Sequence, residues 1–524
     1  MNGSVSSIAT LYERTQAAVR LVAAELVLLG ALAVLMLWNL GGPPPWWDEG
    51  WTLSVARNLA ERDHYGRLLA GEPAPGGLEA SVVVTVPVAG FFELFGVGLW
   101  QGRLFGVLCA LGALAVAWRL AARLYNRRVA AGTAAVLLLL SAHPQLNPVI
   151  QGRQVLGELP SLLFALGGYT CLLAALRRAP VWLLPAVALW WAASEAKAQF
   201  QPFWIISLIA PLAVALLWRR WRAAAIVGLG LALGLVSPHL FGRLVAWGLG
   251  ARRMMPDSVS GLYEVMALVT QPFNRLFALQ ILLGFGLPVL LGLAYGAWRA
   301  LSDLRQARPD DAALVRLSLL ALAGSWLAWF ALLSVGVPRY MFPPSFVGAL
   351  FAAALLHDLT GGFDLRATLG RLAAPLRRPR RLRRESAGAW LAALLVAMAL
   401  PLTALSYQRY YLTYDDHAAE RVAALLNERV GPDELIETYE SELHFFLDRP
   451  YHYPPDQVHV ELNRRSLLRQ HVAIDYDPLA ADPDYLVVGQ FARGNGLYEP
   501  ALASGAFELM LRDGSYEVYR RVRR

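Results

Sequence analysis

Two adjacent carboxylates, Asp48 and Glu49, stand between tryptophans in WWDEGW, directly after an apolar run and a Gly-Gly-Pro-Pro-Pro break. Chemically capable residues recur at the ends of later apolar runs: Arg153 and Glu158 in GRQVLGELP, Lys197 in SEAKAQF, and Arg339-Tyr340 in VPRYMFPP. Arg57 follows the first pair on the same stretch. A carboxylate set against a hydroxyl can act as a general base, and cations can offset the charge growing on a departing phosphate. A divalent metal could take the cations' part, but no His/Asp cluster has convincing ligand spacing, so metal dependence stays open.

Each residue also has a plainer reading. Asp48 can be the N-cap of the helix that follows, with Trp46 and Trp47 in an interfacial aromatic belt. Glu158 can mark a helix start near Pro160, and Arg339 can anchor a helix end at the interface, as Arg252, Arg253 and Arg275 are expected to do. Lys197 resists such a reading because it is the only lysine among 47 basic residues. That bias points to a position requiring a compact ammonium rather than a guanidinium fork.

The elements that must carry these residues are membrane helices. The chain has 524 residues, 56% of them hydrophobic and only 16% charged, too apolar for a soluble protein and too long for one globular core. The net charge of +8 comes from arginine in short clusters between apolar runs, which reads as cytoplasmic loops and argues against nucleic acid. Cys109 and Cys171 lie inside apolar segments and offer no disulfide framework. Eleven spans are expected, near 21–40, 103–121, 130–148, 161–176, 181–194, 201–218, 223–241, 273–297, 317–336, 341–357 and 388–406. The stretch 81–99, interrupted by Pro87 and Glu93, is expected to lie along or dip into the outer interface. Only then do the arginine clusters at 119–128, 177–178, 219–222, 299–308 and 366–384 share one side, the cytoplasm.

This threading puts the N-terminus in the cytoplasm. Asp48, Glu158, Lys197, Arg339 and the polar tail then face outward. The expected organisation is a transmembrane domain, 1–406, whose first exported loop is 41–102, followed by a small exported α/β domain, 407–524. Within that tail, 417–430 reads as a helix, ELIETY and DYLVVGQ as strands, and FELMLRDGSYEVYRRV as a hairpin turning at Asp513-Gly514. Carboxylates and cations gathered at an outer interface suit sugar transfer from a polyprenyl phosphate, whose lipid tail holds the anomeric carbon at that depth.

At these residues the chain resembles the GT-C membrane glycosyltransferases, nearest the protein O-mannosyltransferase and lipid A aminoarabinose transferase type. The resemblance rests on the Asp-Glu opening of the first loop, a following helix from Trp51 to Leu59, FFELFG, and WQGRLFGVLCALGALAVAWRLAARLYNRRVAAG. It covers about the first 220 residues, and RYMFPP more loosely. It implies a polytopic, mainly α fold in a bacterial inner membrane and a cell-envelope glycosylation activity. The donor would be a polyprenyl-phosphate sugar, and the acceptor a glycan, lipid or protein. It also implies Asp48 as catalytic base with Glu49 beside it, Arg153, Lys197, Arg339 and Tyr340 on the donor phosphate, and Arg57 and Glu158 in support. Direct displacement would invert the anomeric centre. One departure is GEPAPGGLEA at 71–80, where many relatives carry Lys-Pro-Pro. A lipid or solute transporter is the alternative, disfavoured because no internal repeat is evident and the ionisable residues gather at one face.

Overall fold

The computed structural model describes residues 27–75, 78, 80–250, 259–306, 309–377, 384–413 and 416–522. Arg252, Arg253 and part of the arginine run 366–384 lie outside them. The chain opens with α1 (Val27–Leu37), α2 (Trp47–Arg62) and α3 (Val82–Phe95). The bundle follows as α4 (Leu99–Leu124), α5 (Arg127–Leu139), α6 (Glu158–Arg177), α7 (Leu183–Ala196), α8 (Phe200–Leu217) and α9 (Trp221–Leu249). It continues through α10 (Pro272–Phe285), α11 (Leu287–Gln306), α12 (Asp311–Leu333), α13 (Phe342–Leu359), α14 (Leu365–Arg377) and α15 (Arg384–Gln408).

Among the described residues seven helices are long and apolar enough to cross a membrane, or eight if the pair α10–α11, bent by 85°, counts as one. Among the described residues each of the eleven expected segments holds a helix, but three of these helices are short. The segment 130–148 ends as α5 at Leu139 because His143-Pro144 and Asn147-Pro148 follow, and a residue before proline is pushed out of helical geometry. The bend between α10 and α11 falls at Gly286 and Pro288, where a backbone donor is missing. The ambiguous stretch 81–99 forms α3, whose 14 residues extend about 21 Å, less than the roughly 30 Å of a hydrocarbon core. Aromatic side chains fill the bundle: Trp190 meets Trp204 with ring centroids 5.6 Å apart, and Phe203 stacks on Trp326 at 4.7 Å. Such close contact is what holds helices together where lipid removes the hydrophobic drive.

Between α2 and α3, β1 (Leu68–Leu69) and β2 (Glu72–Pro73) form a small hairpin turning through Ala70 and Gly71, both at positive φ. The tail begins with α16 (Ala418–Arg429) and builds a five-stranded sheet. Its strands are β3 (Ile436–Thr438), β4 (Tyr451–His452), β5 (Tyr485–Val488), β6 (Phe507–Asp513) and β7 (Tyr516–Arg521), in the order β4-β3-β5-β7-β6. β3 pairs in parallel with β4 and β5, whereas β7 is antiparallel to β5 and β6. The expected hairpin turns at Gly514, where φ is +56°. Two further helices, α17 (Ser441–Phe446) and α18 (Asp456–Leu468), lie between β3 and β5.

The sheet region seats directly on α2. Trp47, Trp51, Val55 and Tyr65 share one buried cluster with Tyr439, Leu462, Leu486 and Tyr498. The Trp47 indole donates to the Tyr439 carbonyl at 3.0 Å, and the Ser441 hydroxyl donates to the Trp47 carbonyl. Gly50 permits this approach: a Cβ there would sit 2.2 Å from the Glu442 Cα.

Candidate active site

Asp48 lies in the first turn of α2, not at its cap. The N-cap is Trp46, and Glu49 reaches back to accept from the Trp46 amide at 3.3 Å. The capping expectation for Asp48 is therefore corrected: the neighbouring carboxylate does that job and leaves Asp48 free to point elsewhere. Trp47 is likewise buried against the tail rather than set in an aromatic belt.

Asp48 pairs with Arg339, whose Nη2 lies 2.5 Å from Oδ2. Arg339 sits in the 3-10 turn Pro338–Met341 that leads into α13, and its Nε lies 3.2 Å from Glu158 Oε1. Lys197 Nζ donates to the same Glu158 oxygen at 2.6 Å and stands 5.5 Å from the centre of the Tyr340 ring, within cation–π range. Asp48, Arg339, Glu158 and Lys197 thus form one continuous chain of charges, two of each sign, drawn from α2, the start of α6, the end of α7 and the start of α13. Gly157 makes the meeting of α6 and α7 feasible, since a Cβ there would stand 1.9 Å from the Ala196 carbonyl oxygen.

The four side chains differ in access. Glu158 is 3% exposed, Arg339 13%, Lys197 15% and Asp48 42%, so Asp48 is the member that solvent reaches. Burial raises the pKa of the Asp48 carboxyl, but Arg339, with Lys197 behind it, outweighs this and holds it below the usual value. Asp48 is thus ionised at neutral pH.

His459 on α18 completes the surroundings and was not foreseen from the sequence. Its ring stacks on Trp47 with centroids 4.5 Å apart, takes part in a 2.7 Å hydrogen bond with the Tyr439 hydroxyl through Nδ1, and lies 2.9 Å from the Asn463 amide through Nε2. Burial lowers its pKa, against the pull of Asp48. The imidazole is therefore neutral and fixed by partners on both nitrogens.

The remaining expected residues go elsewhere. Glu49 forms a doubly bonded pair with Arg103, Nε to Oε1 and Nη2 to Oε2 each at 2.8 Å, with both side chains fully buried. Oε1 also accepts from the Val155 amide at 3.0 Å and Oε2 from Trp46, so all four lone-pair positions are filled. A carboxylate so engaged is a fastener between α2, α4 and the 152–157 loop, with no lone pair left for a metal, although the resemblance sets it beside the catalytic base. Arg103 in turn donates to the Leu40 and Pro43 carbonyls at 2.9 and 2.7 Å. A charge inside the apolar run WQGRLFG was the sequence signal for it, because an intramembrane ionisable group needs a partner.

Arg153 points away from the four-residue chain. It donates to the Trp38 and Asn39 carbonyls and lies over the Tyr411 ring at 4.4 Å, although its Nε and Nη1 are buried without hydrogen bonds. Arg57 also faces elsewhere, pairing with Glu61 and Asp448 and donating to the Phe445 and Leu447 carbonyls. It fastens α2 to the tail. Arg275 donates to the Ala331 and Ser334 carbonyls. Among the described residues no group of three or more His, Cys, Asp or Glu is placed to hold a metal ion.

No protein-family model matches the chain, and no curated protein matches it. Solved structures do. ArnT from Cupriavidus metallidurans in the apo state, a lipid A aminoarabinose transferase, is similar over 96% of this chain and 98% of its own, with a TM-score of 0.60 and 17% identity. The same protein bound to undecaprenyl phosphate gives the same score and identity over 95% and 98%. This chain has the GT-C fold. The Archaeoglobus fulgidus oligosaccharyltransferase, tethered with an acceptor peptide containing the NVT sequon, is a more distant GT-C neighbour. It shows a TM-score of 0.52 and 12% identity over 95% of this chain and 74% of its own. Within the GT-C fold of this protein, the charge chain around Asp48 lies between the ends of bundle helices and the tail.

Proposed function

We propose that the protein is a membrane glycosyltransferase that takes a sugar from a polyprenyl-phosphate donor and passes it to an acceptor hydroxyl at the outer face of a bacterial inner membrane. The observation that carries this reading is the convergence of Asp48, Arg339, Glu158 and Lys197 from four separate elements in a GT-C fold. Similarity to ArnT, which binds undecaprenyl phosphate, supports the donor class. Asp48 is the general base: it is ionised, the most solvent-reachable member of the chain, and next to the cations that would meet a phosphate.

Donor binding then has a built-in consequence. Arg339 is neutralised by Asp48 and Glu158, and Lys197 by Glu158, so the four side chains together carry no surplus charge. An arriving phosphate competes for Arg339 and Lys197 and loosens Arg339 from Asp48, which frees the carboxylate for the acceptor hydroxyl. Asp48 takes the hydroxyl proton as the oxygen attacks the anomeric carbon, and the phosphate leaves with the bonding pair onto the two cations. One displacement inverts the anomeric centre. Glu158 and Tyr340 hold the cations in place, and neutral His459 fixes Trp47 beneath Asp48.

Under this reading the arginine-rich helix ends and α14, with Leu365 and Leu369 exposed beside Arg366 and Arg371, face cytoplasmic anionic lipid, and the 407–524 region is exported. The decisive test is mass spectrometry of lipids that co-purify with wild type and with Asp48→Asn. The sugar-loaded donor should accumulate on the variant, whose transfer activity should fall by roughly 10²–10⁴-fold, the usual worth of a positioned base. A fully active Asp48→Asn protein, or a product retaining the donor configuration, would sink the mechanism.

A further inference from the structure

A second polar cavity lies where the C-terminal half of α2 and the Leu68–Gly71 turn meet the sheet region. It holds about 220 Å³ and is lined by Arg57, Arg62, Arg449, Asp448, His444 and Tyr451, together with smaller neighbours. Asn58, also on its wall, stands ten residues beyond Asp48 on α2, about 15 Å along the helix axis, so the cavity is separate from the charge chain.

His444 is the unusual member. It is 5% exposed, stacks on Tyr451 with centroids 4.5 Å apart, and among the described residues neither ring nitrogen makes a well-formed hydrogen bond, the Thr438 backbone being a polar influence on it. The Thr438 backbone favours its protonation, but burial, with Arg67 adding to it, lowers its pKa to about 3. The ring is neutral and presents one donor and one acceptor, neither in a well-formed hydrogen bond among the described residues. Buried polar groups left in that state are costly and mark places where a partner is expected.

The surrounding charge has one sign in excess. The cavity lining carries three arginines and one carboxylate, Asp448. Arg57 is committed to Asp448 and Glu61, and Arg449 to the Asn427 carbonyl. Arg62 makes no hydrogen bond or ion pair among the described residues, yet together with Arg57 it lies close enough to act electrostatically on Tyr451. An unpaired guanidinium beside a second cation suits an oxyanion with two charges, and an imidazole offering both a donor and an acceptor suits a hydroxylated carrier.

We propose that this cavity binds the phosphate ester of a polyhydroxylated group, with Arg62 and Arg57 on the phosphate and His444 on a hydroxyl. If the reading of Asp48 holds, the cavity is where an acceptor bearing that group would be gripped at a distance from the reacting hydroxyl. A phosphorylated glycan and a phospholipid headgroup share this chemistry.

The test is thermal unfolding of the full-length protein in detergent, at matched ionic strength, with α-glucose 1-phosphate, glucose or short-chain phosphatidylglycerol. Glucose 1-phosphate should raise the unfolding temperature in a saturable way and glucose should not. Arg62→Gln should raise the half-saturating concentration at least tenfold, whereas Arg339→Gln should leave it unchanged. A response to phosphatidylglycerol with the same dependence on Arg62, and none to the sugar phosphate, assigns the site to a lipid headgroup. Two outcomes overturn the proposal: no response to either ester, or a response indifferent to Arg62→Gln. Because binding is read without turnover, a failure of the Asp48 mechanism leaves this result interpretable.

Discussion

Replacing Glu49 by glutamine should damage stability far more than chemistry, although Glu49 is the direct neighbour of the proposed base. The side chain holds Arg103 through two 2.8 Å bonds with both groups wholly out of water. Removing one partner of such a pair leaves an uncompensated buried charge, at a cost of about 3–5 kcal/mol. At about 1.36 kcal/mol per power of ten, that is roughly two to four orders of magnitude in the ratio of folded to unfolded protein. The amide also turns donor against donor at one Arg103 nitrogen. Replacing Arg103 as well by an apolar residue of similar length removes the stranded charge, so Glu49→Gln/Arg103→Met should recover part of the loss, the glutamine oxygen still accepting from a backbone amide. The assay is unfolding in mixed detergent micelles, followed by tryptophan fluorescence, on wild type, both single variants and the double variant, with turnover measured on the fraction that remains folded. The reasoning is refuted if Glu49→Gln unfolds like wild type while its folded fraction loses activity as severely as Asp48→Asn.

Three other outcomes follow from the geometry. Lys197→Arg should lose roughly 10–100-fold in activity, the worth of a charge-assisted bond of about 1.5–3 kcal/mol, because a planar fork cannot meet Glu158 and the Tyr340 ring in the space of an ammonium. Steady-state kinetics check this, and full activity would remove the case for the lone lysine. Gly157→Ala should destabilise by about 1–3 kcal/mol and reduce activity together, since its Cβ would press on the Ala196 carbonyl and part Glu158 from Lys197; thermal unfolding and turnover read both. Stability should also fall as pH rises above about 4.5, the ordinary glutamate value, because burial raises the pKa of both Glu440 and Glu442, and the Glu442 charge raises that of Glu440 further. The folded state then holds protons that the unfolded chain has released, so every step up in pH favours unfolding until the pair ionises. Glu440→Gln/Glu442→Gln should flatten that dependence in a pH series of unfolding midpoints.

The sequence made the bundle legible because apolar runs between arginine clusters leave few ways to thread a membrane. It also made legible Asp48, Glu158, Lys197 and Arg339 as residues at helix ends, but not which of them would touch. Asp48 and Glu49 are adjacent in sequence and point in directions about 100° apart on a helix, so one enters the charge chain and the other enters the core. Arg153 and Glu158 share one short motif, and the turn before Gly157 sends them apart. His459 could not have been foreseen: VHVELN reads as an ordinary amphipathic segment, and its nearness to Asp48 depends on how the sheet region seats. β4 escaped notice because two residues give no periodicity to read.

The seating of the sheet region on α2 also governs when the protein becomes competent. Trp47 and its partner Tyr439 are 392 residues apart in the chain. At synthesis rates of about 5–20 residues per second, the first member waits roughly 20–80 s for the second. Throughout that interval the helix bearing Asp48 lacks the surface that buries Trp47 and Trp51, and His459 does not yet exist. Insertion of the bundle and assembly of the site are therefore separate events, the later one waiting for the sheet region to be made. A chain stalled or clipped after α15 would keep its membrane helices but leave Asp48 on a helix with no surface to seat it.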